Sequence, residues 1–322
     1  TRRSSDLTMK KLRNLLLLLA VIAVVFGCYV GNVAYNKFMH APWDQILGIE
    51  NHKGRVATVR AREKNENWEA VNISGRDGLK LRGTYIANPD GTGKSVILLH
   101  GLYQNRAMSI PFVDMYLAEG RNVLLIDQRG HGESEGEGTT WGLRETDDID
   151  GWVRWLRNQK NQRSVGLHGV SLGAAMALLY AGNERNGDIA FVIADSSYGN
   201  IIDLGKEKIT AWSDNRDFLT GYTVLLPFFR AAMFLHTRKT MGQIEPARAV
   251  QSLTVPVLFL HGANDALIPV QTAEALYEAC ASRQKYIHIF ADSAHAVGIE
   301  TNYNEYRRTV DNFLHRVEIP AD

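Results

Sequence analysis

The chain has few cysteines and almost no excess of charge of either sign. Its 322 residues include two cysteines, Cys28 and Cys280, which lie far apart in different kinds of segment. This number and spacing indicate neither a disulfide framework nor a cysteine-based metal site. Lys and Arg number 36 against 35 Asp and Glu, so no net field attracts a nucleic acid. We therefore expect no metal, no organic cofactor and no nucleic-acid partner.

Internal repeats and low-complexity tracts are also lacking, which excludes a solenoid or another repeat architecture. Hydrophobic residues make up 45% of the chain and charged residues 22%, as in globular proteins with a buried core. A chain of this length can hold one large α/β domain or two small domains.

The most apolar stretch lies near the N-terminus. An unbroken apolar run extends from Leu15 to Val30. With residues 31–35 added, this run has about the 20 residues that a helix needs to cross a bilayer, so we expect the segment 9–35 to be a signal-anchor or transmembrane segment. Because the flank richer in Lys and Arg stays in the cytoplasm, we expect a single-pass cell-membrane protein whose catalytic domain is extracytoplasmic. The basic residues before the run are Lys10, Lys11 and Arg13, and only Lys37 follows it closely.

Other interpretations of this end of the chain stay open. The segment 9–35 also fits a cleaved signal peptide, and the residues up to Cys28 resemble a lipobox that would be acylated. We expect residues 1–8 to be a non-native leader, since TRRSSDL is the translation of a common sequencing adapter. Residues 36–65 are mixed and polar, and we interpret them as a tether or a short amphipathic helix.

From Trp68 onward, short β-rich runs alternate with segments of helical length. This alternation predicts a mostly parallel eight-stranded sheet with helices on both faces. The first two runs have no helix between them, so we expect an antiparallel hairpin at the sheet edge. The predicted strands are Glu69–Ile73, Leu79–Ile86, Ser95–Leu99, Asn122–Ile126, Ser164–Leu167, Ala190–Ala194, Pro256–Leu260 and Tyr286–Phe290. The predicted helices are Arg106–Ala118, Leu143–Gln159, Leu172–Ala181, Gln271–Cys280 and Asn304–Val317.

One long connection interrupts the alternation after the sixth strand. It contains the apolar, aromatic stretch Phe218–Leu235. This stretch fits an ordinary packed helix that covers the sheet, and it also fits a small lid, about 198–252, that lines an acyl pocket or touches a membrane.

A serine stands between two glycines where the fifth strand changes into a helix, in the sequence GVSLG. A serine in such a tight strand–turn–helix is forced toward positive φ. Gly169 and Gly173 remove the side chains that would collide there, and the following helix directs its N–H groups at negative charge that forms beside Ser171. This is the pattern of a nucleophile elbow, which predicts Ser171 as a nucleophile.

A serine nucleophile needs a base, and the base needs a third group to orient it. In this fold the expected chain order is serine, acid, histidine. Asp265 follows the apolar strand that ends at Leu260, and His295 follows the final strand, so both lie beyond the carboxyl ends of strands, where catalytic groups of α/β sheets gather. Asp195, after the sixth strand, is the alternative acid.

The remaining histidines fit the base role less well. His288 lies within a strand, His315 lies in the last helix, and His131 lies in a glycine-rich turn. We expect His100 and His261, each followed by glycine at a strand end, to be structural.

An oxyanion also needs two N–H donors. The Leu172 N–H directly follows the nucleophile and is one of them. We expect the second from the loop after the third strand, at Leu102, with Tyr103 as the alternative.

These motifs resemble those of α/β-hydrolase-fold serine hydrolases over about residues 66–318. The chain is similar to the membrane-anchored bacterial hydrolases of the serine-aminopeptidase-like and acyl-ester-hydrolase-like group. The resemblance implies the triad Ser171, Asp265 and His295, without naming a substrate. The matching stretches are LLHG (98–101), DQRGHGESEG (127–136), GVSLG (169–173), HGANDALIP (261–269) and SAH (293–295).

The sequence thus predicts a membrane-tethered serine hydrolase acting on a small-molecule acyl ester. A serine peptidase or aminopeptidase of the same fold is the first alternative. It would need carboxylates to bind a substrate amine, and Asp203, Glu207 and Asp214 are the candidates. The second alternative is a non-catalytic binding protein that retains the fold.

Overall fold

A computed structural model describes residues 2–52, 54, 56–91, 93–183, 189–213 and 216–318. These residues form one eight-stranded sheet with the order β1-β2-β4-β3-β5-β6-β7-β8. The strand β2 pairs antiparallel with β1 and with β4, and all other neighbours are parallel. The predicted sheet and its edge hairpin are therefore confirmed. The strands are β1 (Glu69–Ser74), β2 (Lys80–Ile86), β3 (Lys94–Leu99), β4 (Asn122–Ile126), β5 (Ser164–Val170), β6 (Phe191–Asp195), β7 (Val257–Gly262) and β8 (Lys285–Phe290).

Helices cover both faces of the sheet. Every residue of β4 and β7 is buried, and since successive side chains point to opposite faces, both faces must be covered. The α-helices are α1 (Arg2–Met39), α2 (Trp43–Leu47), α3 (Ala57–Asn65), α4 (Val113–Ala118), α5 (Glu145–Lys160), α6 (Leu172–Asn183), α7 (Ile201–Ser213), α8 (Arg216–Thr237), α9 (Pro246–Ala249), α10 (Gln271–Ala279), α11 (Gly298–Thr301) and α12 (Tyr303–Glu318). Short 3₁₀ helices span Arg106–Phe112, Met241–Ile244 and Val250–Ser252.

The register of the parallel strands brings their carboxyl ends to one edge of the sheet. Val170 of β5 pairs with Asp195 of β6, and Asp195 pairs with Leu260 of β7. Gly262 at the end of β7 pairs with Phe290 at the end of β8. The loops that follow these four strands therefore start side by side.

The described residues divide into two compact units. Those of 1–41 and 209–241 form the first, and those of 42–208 and 242–322 form the second. In the first unit, Met9–Met39 of α1 is long and apolar enough to cross a membrane by length and composition. This helix is a candidate membrane span, as the sequence predicts.

The stretch predicted as a tether contains two short helices whose apolar side chains are buried. Trp43 of α2 is 3% exposed, and its ring centroid lies 5.1 Å from that of Trp141. Val59 of α3 is fully buried and belongs to the main hydrophobic core. Residues 42–65 are therefore part of the packed second unit.

The connection between β6 and β7 is mainly helical. It contains α7, α8, α9 and two 3₁₀ helices, in agreement with the predicted insertion after the sixth strand. The apolar stretch Phe218–Leu235 lies within α8, and its side chains before Val224 lie outside the described residues, as does Asp214.

Candidate active site

Ser171 occupies the turn between β5 and α6 with a left-handed backbone, φ = 54°. Its N–H donates to the Asp195 carbonyl at 2.7 Å, which fixes the turn against the neighbouring strand. The two flanking glycines are needed because backbone atoms approach them closely. A Cβ on Gly169 would lie 2.1 Å from the Gly173 carbonyl oxygen, and a Cβ on Gly173 would lie 2.2 Å from the Leu99 carbonyl oxygen.

His295, in the loop after β8, lies between the serine and an acid. Its Nε2 is 2.9 Å from Ser171 Oγ, and its Nδ1 is 2.7 Å from Asp265 Oδ2. Because the ionised carboxylate can only accept, Nδ1 carries the proton and donates to it. Nε2 is then left as the acceptor of the Ser171 O–H.

Asp265 is held by four hydrogen-bond donors. Its Oδ1 accepts the backbone N–H groups of Leu267 at 2.9 Å and Ile268 at 2.8 Å, and its Oδ2 accepts from His295. His261 Nε2 lies 3.1 Å from the same Oδ2. Burial raises the pKa of the Asp265 carboxyl, but the hydrogen bonds from His261 and His295 outweigh it and hold the pKa well below its usual range. The acid therefore stays ionised at neutral pH.

His261 supports this acid from a position that is fully buried. Its Nε2 also lies 2.8 Å from the Ile268 carbonyl oxygen, so one N–H faces two acceptors. Burial lowers the pKa of His261, yet the hydrogen bond to Asp265 and the nearby negative charge raise it overall. The sequence assigned His261 a structural role and did not indicate this contact.

Asp195, the alternative acid, has other partners. Its Oδ2 accepts the Tyr306 O–H at 2.8 Å, and its Oδ1 accepts the Ser196 O–H at 2.9 Å. The Tyr306 oxygen is also 3.0 Å from His168 Nε2, deep in the core. Burial raises the pKa of the Asp195 carboxyl. The structure thus brings Asp265, and not Asp195, to the imidazole of His295.

The other histidines have partners of their own. His288 pairs with Glu305 at 2.9 Å and His315 with Glu119 at 3.1 Å, while His131 Nδ1 lies 2.9 Å from the Arg129 carbonyl oxygen. The His100 Nδ1 lies 2.7 Å from the Gly101 carbonyl oxygen. Within the described ranges, no group of three or more His, Cys, Asp or Glu side chains is placed to hold a metal ion.

Both proposed oxyanion donors lie at the cavity that contains Ser171. Leu172 is the first residue of α6, where N–H groups have no partner within the helix. Leu102 is 8% exposed in the loop after β3, and the N–H of Gly101 before it already donates to Gln104 Oε1 at 2.9 Å. Tyr103, the alternative donor, is not among the described residues that line the cavity.

This cavity has a volume of about 690 Å³ and a mainly apolar wall. The helix α7 contributes Ile201, Leu204 and Lys208. Asp203 and Glu207 lie on the exposed side of the same helix and do not line the cavity. Its wall also includes Met108, Phe112, Trp141, Tyr198, Leu267 and Val297.

The segment after α2 also reaches this cavity, which the sequence did not indicate. Residues 47–50 and His52 line it. The segment is anchored at His52, whose N–H donates to the Tyr103 carbonyl at 2.6 Å and whose carbonyl accepts from Asn105 Nδ2 at 2.6 Å. Among the described residues, Glu50 and Glu300 are the carboxylates in the wall.

Comparison with known proteins identifies the class of this fold. A family model described as alpha/beta hydrolase fold matches residues 94–240, and one described as serine aminopeptidase matches residues 206–302. The chain is 32% identical to protein YqkD of Bacillus subtilis over 238 residues, covering 74% of this chain and 76% of YqkD. The chain therefore belongs to the α/β-hydrolase family.

More distant relatives extend the likeness along the chain. Protein YfhR of Escherichia coli K12 is 25% identical over 313 residues, with 95% of each chain covered. The solved structure of the Pyrococcus furiosus esterase Pf2001 aligns with a TM-score of 0.62 and 26% identity, covering 77% of this chain and 92% of the esterase. An esterase of Exiguobacterium antarcticum, at 19% identity and a TM-score of 0.56, shares the fold over 77% of this chain and 100% of its own. The family models and the Pyrococcus furiosus esterase support hydrolase activity.

Proposed function

We propose that the chain is a membrane-tethered serine hydrolase that cleaves carboxylic esters through an acyl-enzyme. Ser171 Oγ attacks the ester carbonyl carbon and passes its proton to His295 Nε2, while Asp265 stabilises the imidazolium. The N–H groups of Leu172 and Leu102 hold the oxyanion. The carbon–oxygen bond then breaks, the leaving alcohol takes the proton from His295, and water repeats the sequence to release the carboxylic acid.

The observation that carries this proposal is the hydrogen-bonded series from Ser171 through His295 to the ionised Asp265 at one wall of the cavity. Each group has the partner that its role requires: a hydroxyl facing a basic nitrogen, and a buried carboxylate facing the other nitrogen. The left-handed φ of Ser171 adds support, because that strained conformation places a side chain at the tip of a nucleophile elbow.

The lining of the cavity favours an acyl ester. Apolar side chains from α7 and from the loops around it form most of the wall and suit an acyl chain. A peptidase remains the second candidate, because the serine-aminopeptidase family model matches residues 206–302, which include Asp265 and His295. In that case Glu50 or Glu300 in the wall would bind the substrate amine.

The helix α1 is proposed to tether the enzyme. Its segment Met9–Met39 has the length and composition of a span, and Lys10 and Lys11 at its start favour a cytoplasmic N-terminus with the catalytic unit outside. Membrane fractionation of the full chain with a carbonate wash tests the tether, since an integral protein stays in the pellet. A protein found wholly in the soluble fraction would exclude it.

Labelling with a fluorophosphonate tests the nucleophile. We expect the detergent-solubilised full chain to be labelled and the Ser171→Ala variant to remain unlabelled, with turnover reduced by roughly 10⁶-fold. Circular dichroism of both proteins controls for folding. A wild-type protein that is folded and unlabelled would contradict the proposal and favour the non-catalytic binding protein.

A substrate panel then separates ester from peptide chemistry. We expect kcat/KM on p-nitrophenyl acyl esters to rise with chain length as far as the cavity can hold the acyl group, and amino-acid amides to be poor substrates. Faster turnover of amino-acid amides, lost on Glu50→Gln or Glu300→Gln, would instead identify an aminopeptidase.

A further inference from the structure

The helix α8 carries an exposed apolar stripe along one face. Val224, Phe234 and Leu235 are 64%, 45% and 63% exposed, and Pro227 and Ala231 between them are also exposed. Their spacing of three and four residues places all five on one side of the helix. Water contact with such a stripe is unfavourable, which indicates that something apolar covers it.

A side of α8 adjacent to the stripe packs against α1 in the same unit. Gly27 and Gly31 of α1 are four residues apart, in the small-xxx-small pattern of packed membrane helices, and Phe228 of α8 packs against both. A Cβ on Gly27 would lie 2.1 Å from the Phe228 ring, and a Cβ on Gly31 would lie 2.4 Å from the Phe228 carbonyl oxygen. Two residues without side chains thus allow close approach of the helices.

A polar and aromatic cluster continues this contact toward the end of α1. The rings of Tyr35 and His236 stack at a centroid distance of 4.5 Å, and His236 Nε2 lies 2.6 Å from Asn32 Oδ1. Phe229 lies 5.6 Å from Phe38, edge to face. The contacts of α8 therefore fall on the last third of α1, where the candidate span approaches one membrane surface.

The composition of α8 indicates how it could meet a bilayer. Its sequence is largely apolar from Phe218 to Leu235, with Arg230 as the charged residue within that stretch. A helix that combines an exposed apolar face with a charged residue suits a position in the interface of one leaflet.

We propose that α8 is inserted into the membrane beside α1, with its stripe in the lipid of one leaflet. The lipid, and not a second protein, is the favoured occupant because the exposed apolar side chains of α1, from Leu15 to Phe26, belong to the same unit. The exposed Arg230 and Arg238 lie next to the stripe, and their long side chains can reach the phosphate groups. The inference rests on the proposed membrane tether.

The test places a fluorophore on the stripe of the full chain in proteoliposomes. Both native cysteines are replaced, Cys28→Ala and Cys280→Ala, and a single cysteine is introduced by Leu235→Cys or, as a second variant, Val224→Cys. Each is labelled with an environment-sensitive dye and mixed with phospholipids that carry a nitroxide near the glycerol end of the acyl chain. Glu274→Cys, exposed on α10, is the matched control.

We expect the nitroxide to quench both stripe positions about threefold or more strongly than the control, as lipid contact requires. If quenching is equally weak at all three positions while the protein stays in the membrane pellet after the carbonate wash, then α8 is not inserted in the membrane although the tether through α1 holds. Weak quenching together with disulfide cross-linking between chains of the unlabelled Leu235→Cys variant would also overturn it, in favour of a second copy as the occupant. A protein lost in the carbonate wash would instead remove the tether itself.

Discussion

Three residues in or next to the candidate triad have left-handed backbones. Ser171, Ser196 and Ala296 have φ values of 54°, 58° and 59°, a conformation that stores about 1–3 kcal/mol in each residue with a side chain. Ser196 connects the turn at Ser171 with the loop that carries His295. Its Oγ accepts the N–H of Ala296, the residue after His295, at 3.2 Å. The carbonyl of Asp195, the residue before Ser196, accepts the Ser171 N–H. We interpret Ser196 as a positioning residue for His295.

Removing the Ser196 hydroxyl should therefore slow the chemical step more than it weakens binding. We expect Ser196→Ala to lower kcat by roughly tenfold, equivalent to about 1.4 kcal/mol, with KM little changed. Steady-state kinetics measures both. The matched control is Ser197→Ala, since the buried Ser197 hydroxyl donates only to the Tyr198 carbonyl. An equal loss in both variants would indicate a general effect on this turn.

The two candidate acids should differ sharply in their effect on turnover. Asp265→Asn leaves His295 without a carboxylate and favours the wrong tautomer, so we expect kcat to fall by roughly 10⁴-fold. Asp195→Asn should lower stability, because an amide has one accepting oxygen where the carboxyl group accepts from both Tyr306 and Ser196, while kcat stays within about tenfold of wild type. Kinetics and thermal unfolding of both variants check this, and the reverse order of kcat would assign the acid role to Asp195.

At the scale of elements, the packing of α6 against the ends of β5 and β3 determines the position of Ser171, the candidate nucleophile. The helix starts directly after Ser171, and its first turn lies against the end of β3 because Gly173 has no side chain. Any residue larger than glycine at this position must push the helix away from the strand, and with it the hydroxyl.

We expect Gly173→Ala to destabilise the fold by about 1–3 kcal/mol or more, since its Cβ would meet backbone atoms of Leu99 that cannot rotate aside. The free energy of unfolding in urea measures the loss. Gly138→Ala is the control: a Cβ there meets nothing within 4 Å. Equal stability of the two variants would show that α6 can shift without penalty.

At the scale of the whole second unit, a buried ion cluster joins the segment after α1 to the end of the sheet. Arg106, which is fully buried, pairs with Asp127 after β4, with Glu133 at 2.5 Å and with Glu63 of α3 at 3.3 Å. Burial raises the pKa of Glu133, but hydrogen bonds from Arg60 and Arg106 outweigh it and lower the pKa to about 2.

This shift predicts how stability depends on pH. Because the folded pKa of Glu133 is depressed, its contribution is complete above the ordinary value of 4.5 and is lost as the pH falls toward about 2. Glu133→Gln should therefore destabilise the protein by about 1–3 kcal/mol at pH 7, and the difference from wild type should shrink below pH 4.5. Urea unfolding from about pH 7 to pH 3 measures it, with Glu278→Gln as the exposed control. A difference independent of pH would contradict the depressed pKa.

Much of this protein follows from short-range patterns in the chain. Alternation of apolar strands and amphipathic helices predicts the eight-stranded sheet, because burial on both faces demands continuous apolar runs. The strand–glycine–serine–glycine–helix sequence predicts the turn at Ser171, because only residues without side chains permit the close backbone approach seen at Gly169 and Gly173. The long apolar run of α1 likewise marks a candidate span from composition alone.

Only the tertiary structure shows which of two residues in equivalent positions takes a given role. Asp195 and Asp265 both follow parallel strands, and only the packing of Tyr306 against Asp195 turns that carboxylate away from His295. The burial of Trp43 and Val59, in a stretch that reads as polar, depends on partners distant in the chain. Periodicity and turn chemistry are local and can be read along the sequence, whereas side-chain direction and long-range contacts exist only once distant segments have packed.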